Sequence, residues 1–304
     1  MADPVEEVNG ALTVGAYKLG SIVARLTPAP IAQGVVSMFA PGLALSLRKR
    51  RSMVERHLRR VDPSLNGWKL RRASQQAFES YMRYYAESFA LPSMSAAQVA
   101  RTFVVENFHH VDDALAKGNG VILALPHLGG WEWAGRWLAD RGYKVAVVVE
   151  ALEPPELFEW FVGLRKSLGM NVIPLGPSAA AQVLTALRNN EIVCLLSDRD
   201  IQGGGVEVTF FGEKTTLPAG PAMLGLRANS VLLPVATYFT DKVNGHRAVV
   251  RPPLPMERTG GLRESVGVIT QLLANELEEL IREAPEQWHL FQPNWPSDPG
   301  YDKN

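Results

Sequence analysis

The stretch Pro126-His127-Leu128-Gly129-Gly130-Trp131-Glu132 holds the residue types best suited to chemistry. It directly follows the apolar run Val121 to Leu125 and opens a helical pattern. Ligands of open α/β sheets collect outside the carboxyl ends of strands, so His127 stands where a ligand would. Gly129 and Gly130 permit a tight strand-to-helix turn, which lets Glu132 on the first helical turn fold back toward the imidazole. A carboxylate bonded to one ring nitrogen fixes the tautomer, leaves the other nitrogen as an acceptor and stabilises the imidazolium. Such a pair is a general base, worth about 10² to 10⁴ in rate, and an imidazole with a reference pKa of about 6.5 suits the task at neutral pH. The same two residues equally fit a hydrogen-bonded loop histidine and a helix-start carboxylate favoured by the dipole.

Other reactive types are sparse. Cys194 sits mid-strand between Val193 and Leu195, the setting of an inert buried thiol rather than of an acyl-carrying nucleophile. As the single cysteine it excludes an intrachain disulfide and a multi-cysteine zinc site, and it suits a reducing compartment. His109-His110, near Asp112 and Asp113, lacks the spacing of a metal motif such as HExxH, so no metal is expected. Trp131, Trp133, Trp137 and Trp160 fall close to the loop; core packing is their commoner role, and contact with a sugar ring or an acyl chain is the alternative.

The elements that must position these groups are legible from texture. Short apolar runs at 121–125, 145–149, 172–175 and 192–196 read as strands buried on both faces, with helical patterns at 131–141, 154–168 and 178–189 between them. That alternation predicts right-handed βαβ crossovers and a mostly parallel central sheet flanked by helices, an α/β fold. Later strands are expected at 206–211, 231–239 and 247–251, and helices at 219–228 and 263–283. Residues 1–100 read as an N-terminal helical layer facing a membrane, residues 101–296 as the catalytic sheet and helices, and residues 297–304 as a tail, loose at Asp298-Pro299-Gly300. With no repeat or low-complexity linker, residues 1–304 read as one α/β domain.

The 304 residues, 46% apolar, can bury a large core, which excludes global disorder. Equal numbers of basic and acidic side chains argue against a general nucleic-acid binder. The charge is uneven, however: residues 48–72 carry ten basic side chains against Glu55 and Asp62, net +8, leaving the remainder at net −8. This run follows apolar patches between 11 and 47, and apolar surface beside a polybasic run is a membrane-interface pattern; a solvated helical face has a similar composition. No continuous apolar run reaches eighteen residues, so no spanning helix is expected. The acidic start, with Asp3, Glu6 and Glu7, and the prolines Pro28, Pro30 and Pro41 do not fit a secretory signal.

The His-x-x-x-x-Glu constellation does not stand alone. Glu150 follows its strand and is succeeded by Phe161-Val162-Gly163-Leu164-Arg165-Lys166-Ser167-Leu168-Gly169; Ser197-Asp198-Arg199-Asp200 ends the next apolar run and precedes Val208-Thr209-Phe210-Phe211-Gly212. Leu217-Pro218-Ala219-Gly220-Pro221 opens a helix, and Glu286-Gln287-Trp288-His289-Leu290-Phe291-Gln292-Pro293 lies near the end. In this order the blocks resemble the lysophospholipid-acyltransferase-like superfamily, in the branch of the lipid A late acyltransferases and the phosphatidylinositol mannoside acyltransferases, the latter being more similar. The resemblance spans roughly residues 16–296. Glu132 stands where those enzymes often carry aspartate, and Asp198 where glutamate is expected.

The resemblance implies transfer of a fatty acyl group from acyl-CoA or acyl carrier protein to a sugar hydroxyl of a membrane glycolipid. His127 and Glu132 are then catalytic and Glu150, Arg165, Asp198 and Arg199 bind substrate, with acyl-CoA a substrate and no cofactor. The guanidinium forks of Arg165 and Arg199 suit a phosphorylated headgroup or a network with Glu150 and Asp198; an ordinary salt bridge is the alternative. Backbone N–H groups around Gly129-Gly130 are the expected oxyanion donors. The expected setting is a monomer bound peripherally to the anionic cytoplasmic face of the plasma membrane, without nucleic acid. A lipid A type enzyme using acyl carrier protein, an acyl thioesterase and a lipid-binding scaffold are the competing readings.

Overall fold

The structure, a computed structural model, describes residue 15 and residues 22–150, 155–258 and 260–301. The acidic start and the apolar patch at 11–14 and 16–17 lie outside the described residues. Three helices form the N-terminal layer: α1 (Ala29–Ser46), α2 (Arg48–Val61) and α3 (Gly67–Ala90), followed by α4 (Ala96–Thr102). The sheet region then runs β1 (Phe103–Glu106), α5 (His109–Ala116), β2 (Val121–Leu125), α6 (Trp131–Asp140), β3 (Val145–Val149), α7 (Pro155–Ser167) and β4 (Asn171–Pro174). It continues through α8 (Ala179–Arg188), β5 (Ile192–Leu196), β6 (Val206–Phe210), β7 (Glu213–Leu217), α9 (Gly220–Ala228), β8 (Val231–Phe239), β9 (His246–Val250) and α10 (Leu262–Glu283).

Seven strands pair in the order β1-β9-β8-β2-β5-β3-β4. All neighbours are parallel except β8 and β9, so the expected mostly parallel α/β sheet is found, with two reversed strands at one edge. Along each central strand successive side chains serve opposite cores. Leu123 and Leu125 pack with α6 and α7, whereas Ile122 and Ala124 pack with α8, α9 and α10. Two elements escaped the sequence reading. The four-residue edge strand β1 carries too few alternations to stand out. The other is β7: β6 lies within the strand expected at 206–211, but the chain turns back through Phe211 (φ +50°) and Gly212 (φ +75°), a tight pair without the Asn-Gly signature of such turns.

The N-terminal layer has its own small core, in which Val54, Leu58, Leu70 and Phe78 enclose Phe291 from the C-terminal segment. Pro41 does not interrupt α1 as expected: the helix runs unbroken from Ala29 to Ser46, and Pro30 lies in the first turn, where its missing N–H is harmless. By length and composition α1 is the one described helix able to cross a membrane, with a mean hydropathy of 1.3. It lies along α3, burying Val36, Ala40 and Ala44 while Met38, Phe39 and Leu45 stay exposed.

The expectation of a loose Asp298-Pro299-Gly300 tail is overturned. Asp298 is buried, accepts the backbone N–H groups of Asn294 and Trp295, and takes the guanidinium of Arg60 at 2.6 Å and that of Arg56 at 3.3 Å. A buried carboxylate so paired holds the chain end against α2. Two arginines of the basic run are thereby spent inside the fold.

His57 on α2 donates from Nε2 to the Gln292 carbonyl at 2.9 Å and presents Nδ1 to Arg60. Burial outweighs the raising influence of Gln292 and Asp298 and pushes its pKa down to about 4. Between pH 6.5 and 4 the unfolded chain therefore binds a proton that the fold refuses, and stability falls as pH falls, by up to about 1.4 kcal/mol per pH unit. Urea unfolding of His57→Gln should show a shallower loss across that window than the parent; an identical slope would assign the acid sensitivity elsewhere.

Candidate active site

The register of β2 against β5 decides the site. Leu125 pairs with Leu196, and the ladder extends one step further through Ser197 N–H to the Leu125 carbonyl. His127 and Asp198 each lie two residues past those partners, so they meet across the strand ends. His127 Nδ1 stands 2.7 Å from Asp198 Oδ1, while the His127 backbone N–H donates to Oδ2 at 3.0 Å. Trp288 Nε1 donates to the same Oδ2 at 2.7 Å, and Asn294 Nδ2 holds the Asp198 carbonyl. Burial alone would raise the Asp198 pKa, but the facing imidazole and these N–H donors outweigh it and hold the carboxyl below its ordinary value. The carboxylate thus fixes a proton on Nδ1 and leaves Nε2 as the acceptor.

This corrects the expected partner. Glu132 does not orient His127: its carboxylate takes Arg165 Nη2 at 2.5 Å and Nε at 3.0 Å, and accepts the Tyr84 hydroxyl at 3.1 Å. The physical reason is electrostatic. Glu132 is 3% exposed, and a carboxylate so buried needs a full cation, which the guanidinium supplies and a neutral imidazole does not. Burial would lower the Arg165 pKa, yet Glu132 holds it above its ordinary range. Tyr84 is displaced upward by burial and by Glu132, so its hydroxyl stays a donor. Asp198, expected among the substrate-binding residues, is the carboxylate that pairs with His127.

The loop is clamped from behind by the C-terminal segment. Gly129 N–H donates to the Gln287 carbonyl at 3.0 Å, and His289 N–H donates to the His127 carbonyl at 2.7 Å. Gly129 has φ +60°, and a side chain there would overlap the Thr237 carbonyl on β8. With Leu128 N–H also engaged, by Pro126, neither of those two N–H groups is available as an oxyanion donor. The His289 ring is buried beside His127, which drives its pKa down to about 3 and keeps it neutral.

In front of His127 opens a cavity of about 530 Å³. One arm runs between the sheet and α6 and is lined by Leu123, Val147, Cys194, Trp137 and Met170; another reaches Gly203–Gly205, Pro218 and Met223 over the strand ends. Glu150, Arg165 and Arg199, the residues expected to bind substrate, are among its lining, Glu150 at an exposed position. Among the described residues, no carboxylate pairs with Arg199, in contrast to Arg165. Cys194 contributes to the wall rather than to a sealed core, and burial pushes its thiol up to about 12, so it stays protonated. Trp131 and Trp137 line the cavity, whereas Trp133 stacks on His246 and Trp160 packs on Phe89 and Phe161. Trp288 lay within a block singled out above, but its role in fixing Asp198 had no local signal; nor had that of Tyr84.

Asp198→Asn keeps the shape and removes the charge, so it should lower turnover by roughly 10³ to 10⁴, as for an orienting carboxylate. Glu132→Gln should act on folding, costing about 3–5 kcal/mol by leaving Arg165 unpaired. Denaturation midpoints and turnover measured side by side separate the two; equal effects on stability would refute the division of roles.

The sequence profile described as bacterial lipid A biosynthesis acyltransferase matches residues 11–297. A phosphatidylinositol mannoside acyltransferase from Mycobacterium tuberculosis (strain CDC 1551 / Oshkosh) is 42% identical over 227 residues, 73% of this chain and 70% of the relative. One from Mycolicibacterium smegmatis is 37% identical over 298 residues, 96% and 94% of the two chains. A lipid A biosynthesis acyltransferase from Haemophilus influenzae is 24% identical over 183 residues, 59% and 54%. A paired histidine at the mouth of an apolar cavity and a family match over nearly the whole chain agree: the chain belongs to the bacterial lipid A biosynthesis acyltransferase family, and is an acyltransferase of glycolipid synthesis.

Proposed function

We propose that the protein transfers a fatty acyl group from acyl-CoA to a sugar hydroxyl of a phosphatidylinositol mannoside. The observation that carries this reading is the 2.7 Å pairing of His127 with buried Asp198 at the mouth of the apolar cavity. The relatives named phosphatidylinositol mannoside acyltransferase support the acceptor class.

His127 Nε2 takes the proton of the sugar hydroxyl as the oxygen attacks the thioester carbonyl. The tetrahedral intermediate collapses, the carbon–sulfur bond breaks, and the imidazolium returns its proton to the departing thiolate. Asp198 stabilises the imidazolium between these events. In this reading transfer is direct, with no acyl-enzyme on Cys194, whose thiol burial pushes up to about 12 and so keeps protonated. The acyl chain fits the arm beneath α6, where each buried methylene contributes roughly 0.8 kcal/mol. Arg199 lines the cavity without a carboxylate partner among the described residues, and it fits an anionic phosphate of donor or acceptor.

The reading extends to peripheral attachment at the cytoplasmic face of an anionic membrane. Of the basic run, Arg48, Lys49, Arg50, Arg59, Lys69, Arg71 and Arg72 are exposed, beside exposed Trp68 and the outer face of α1. Apolar insertion and about 1 kcal/mol per cation near anionic headgroups then add.

Mass spectrometry after incubation with acyl-CoA and a mixed glycolipid extract should detect an acylated phosphatidylinositol mannoside, lost in His127→Ala and retained in Cys194→Ala. Hydrolysis without acceptor at the transfer rate would replace this reading by a thioesterase, and faster turnover with acyl carrier protein would reassign the donor. Vesicles containing phosphatidylinositol should bind the protein less as salt rises, and less again when Arg71 and Arg72 are changed to Glu. Salt-independent binding would leave α1 as the sole anchor.

A further inference from the structure

The bond from Ser197 N–H to the Leu125 carbonyl is the last backbone rung between β5 and β2, so the Asp198 peptide leaves the sheet without a neighbouring strand. A buried carbonyl still needs a donor. Asn294 supplies one, its Nδ2 donating to the Asp198 carbonyl at 3.0 Å. Six residues earlier in the same segment, Trp288 Nε1 holds Oδ2 of the Asp198 carboxylate at 2.7 Å. With the peptide and the carboxylate both held, the two side-chain torsions between them are fixed, and Oδ1 stays on His127 Nδ1.

Over residues 288–298 that segment forms neither helix nor strand beyond the single bridge of Trp288 to Leu128, so side chains give it its shape. Asp298 Oδ2 gathers the N–H groups of Asn294 at 2.9 Å and Trp295 at 3.1 Å into a tight loop, and its Oδ1 takes Arg60 of α2 at 2.6 Å. Arg60 also pairs with Glu213 on β7 at 2.9 Å and lies 4.3 Å over the Trp295 indole. The Thr215 hydroxyl donates to the Asn294 carbonyl, and Trp295 Nε1 to that of Phe210. An unbroken line of contacts therefore runs from Arg60 through Asp298, Asn294 and Asp198 to His127. It is dry, since Asn294, Asp298 and Asp198 are at most 4% exposed, and hydrogen bonds in such a setting are stronger than in water.

We propose that Asn294, set in place by Asp298, is a positioning residue for the reaction: together with Trp288 it aims the Asp198 carboxylate at the His127 imidazole. The proposal rests on the acyl-transfer reading above. None of residues 288–298 lines the cavity, so the segment acts on the chemistry only through Asp198. A defect there lowers turnover and leaves substrate binding in place.

The test compares the parent with Asn294→Ala, which removes the amide but spares the backbone bonds to Asp298 and Thr215, and with Trp288→Phe, which removes the N–H but keeps a ring. Each is checked for a cooperative thermal transition; should Trp288→Phe not fold, Asn294→Ala carries the test. Each should lower kcat by between about tenfold and a hundredfold, the effect of misplacing a catalytic group by about 1 Å, with KM for acyl-CoA unchanged to within about twofold. A second readout needs no turnover. The His127 Nδ1 proton, facing a buried carboxylate, should give a far-downfield, slowly exchanging proton NMR signal, identified by its loss in His127→Ala, and that signal should move or broaden in both variants. A parent-like kcat, a loss confined to KM, or an unmoved signal in the folded variants would overturn the proposal. If the parent transfers no acyl group, the activity reading fails on its own and the signal decides: displaced in the variants it upholds the positioning role, and unmoved there or missing from the parent it refutes it.

Discussion

One buried carboxylate organises this protein's chemistry. Asp198 is out of contact with water, and an ion in that position survives only if each lone pair is met. It is met from two parts of the chain, the imidazole and backbone of His127 after β2 and the indole of Trp288 near the C-terminus, and the register of β5 against β2 brings Asp198 to them. Because burial strengthens every one of these interactions, the same pairing that makes the ion tolerable aligns His127 and secures its tautomer.

The second buried carboxylate, Glu132, solves the same problem differently. It is neutralised by a full guanidinium from α7 and capped by a hydroxyl from α3. The result ties three helices together beside the His127 loop. Tyr84 stacks on Trp131, and Trp131 in turn meets the His127 ring edge-on. The N-terminal layer is thus joined to the catalytic loop through side chains as well as through its own small core, and the C-terminal segment closes the arrangement from behind. The ends of the chain, far apart in sequence, share the task of holding one loop.

Charge follows the same logic across the molecule. Of the dense basic run, Arg56 and Arg60 turn inward to hold Asp298, while others remain on the surface beside exposed apolar residues of α1. Arg165 and Arg199 divide likewise: the first is consumed by an internal ion pair, and the second, which lines the cavity, has no carboxylate partner among the described residues. Residue type was the same in each case; what differs is whether a carboxylate happened to be folded within reach.

The sequence by itself determined the sheet, the helices between its strands, the place of the His127 loop and the family of the chain. These are local properties: apolar runs of strand length, 3.6-residue periodicity, and glycines where the backbone must turn. It placed His127, Glu132, Glu150, Arg165, Asp198 and Arg199 near one another without deciding which carboxylate served the imidazole. Nearness along the chain favoured Glu132, five residues away, over Asp198, seventy-one away. Only the tertiary structure decided for Asp198, because a parallel register between neighbouring strands places equivalent positions side by side however far apart they lie in sequence. For the same reason Tyr84, Trp288 and the inward-turned Asp298 carried no readable signal: their partners are set by how layers pack, and packing is written across the whole chain rather than in any window of it.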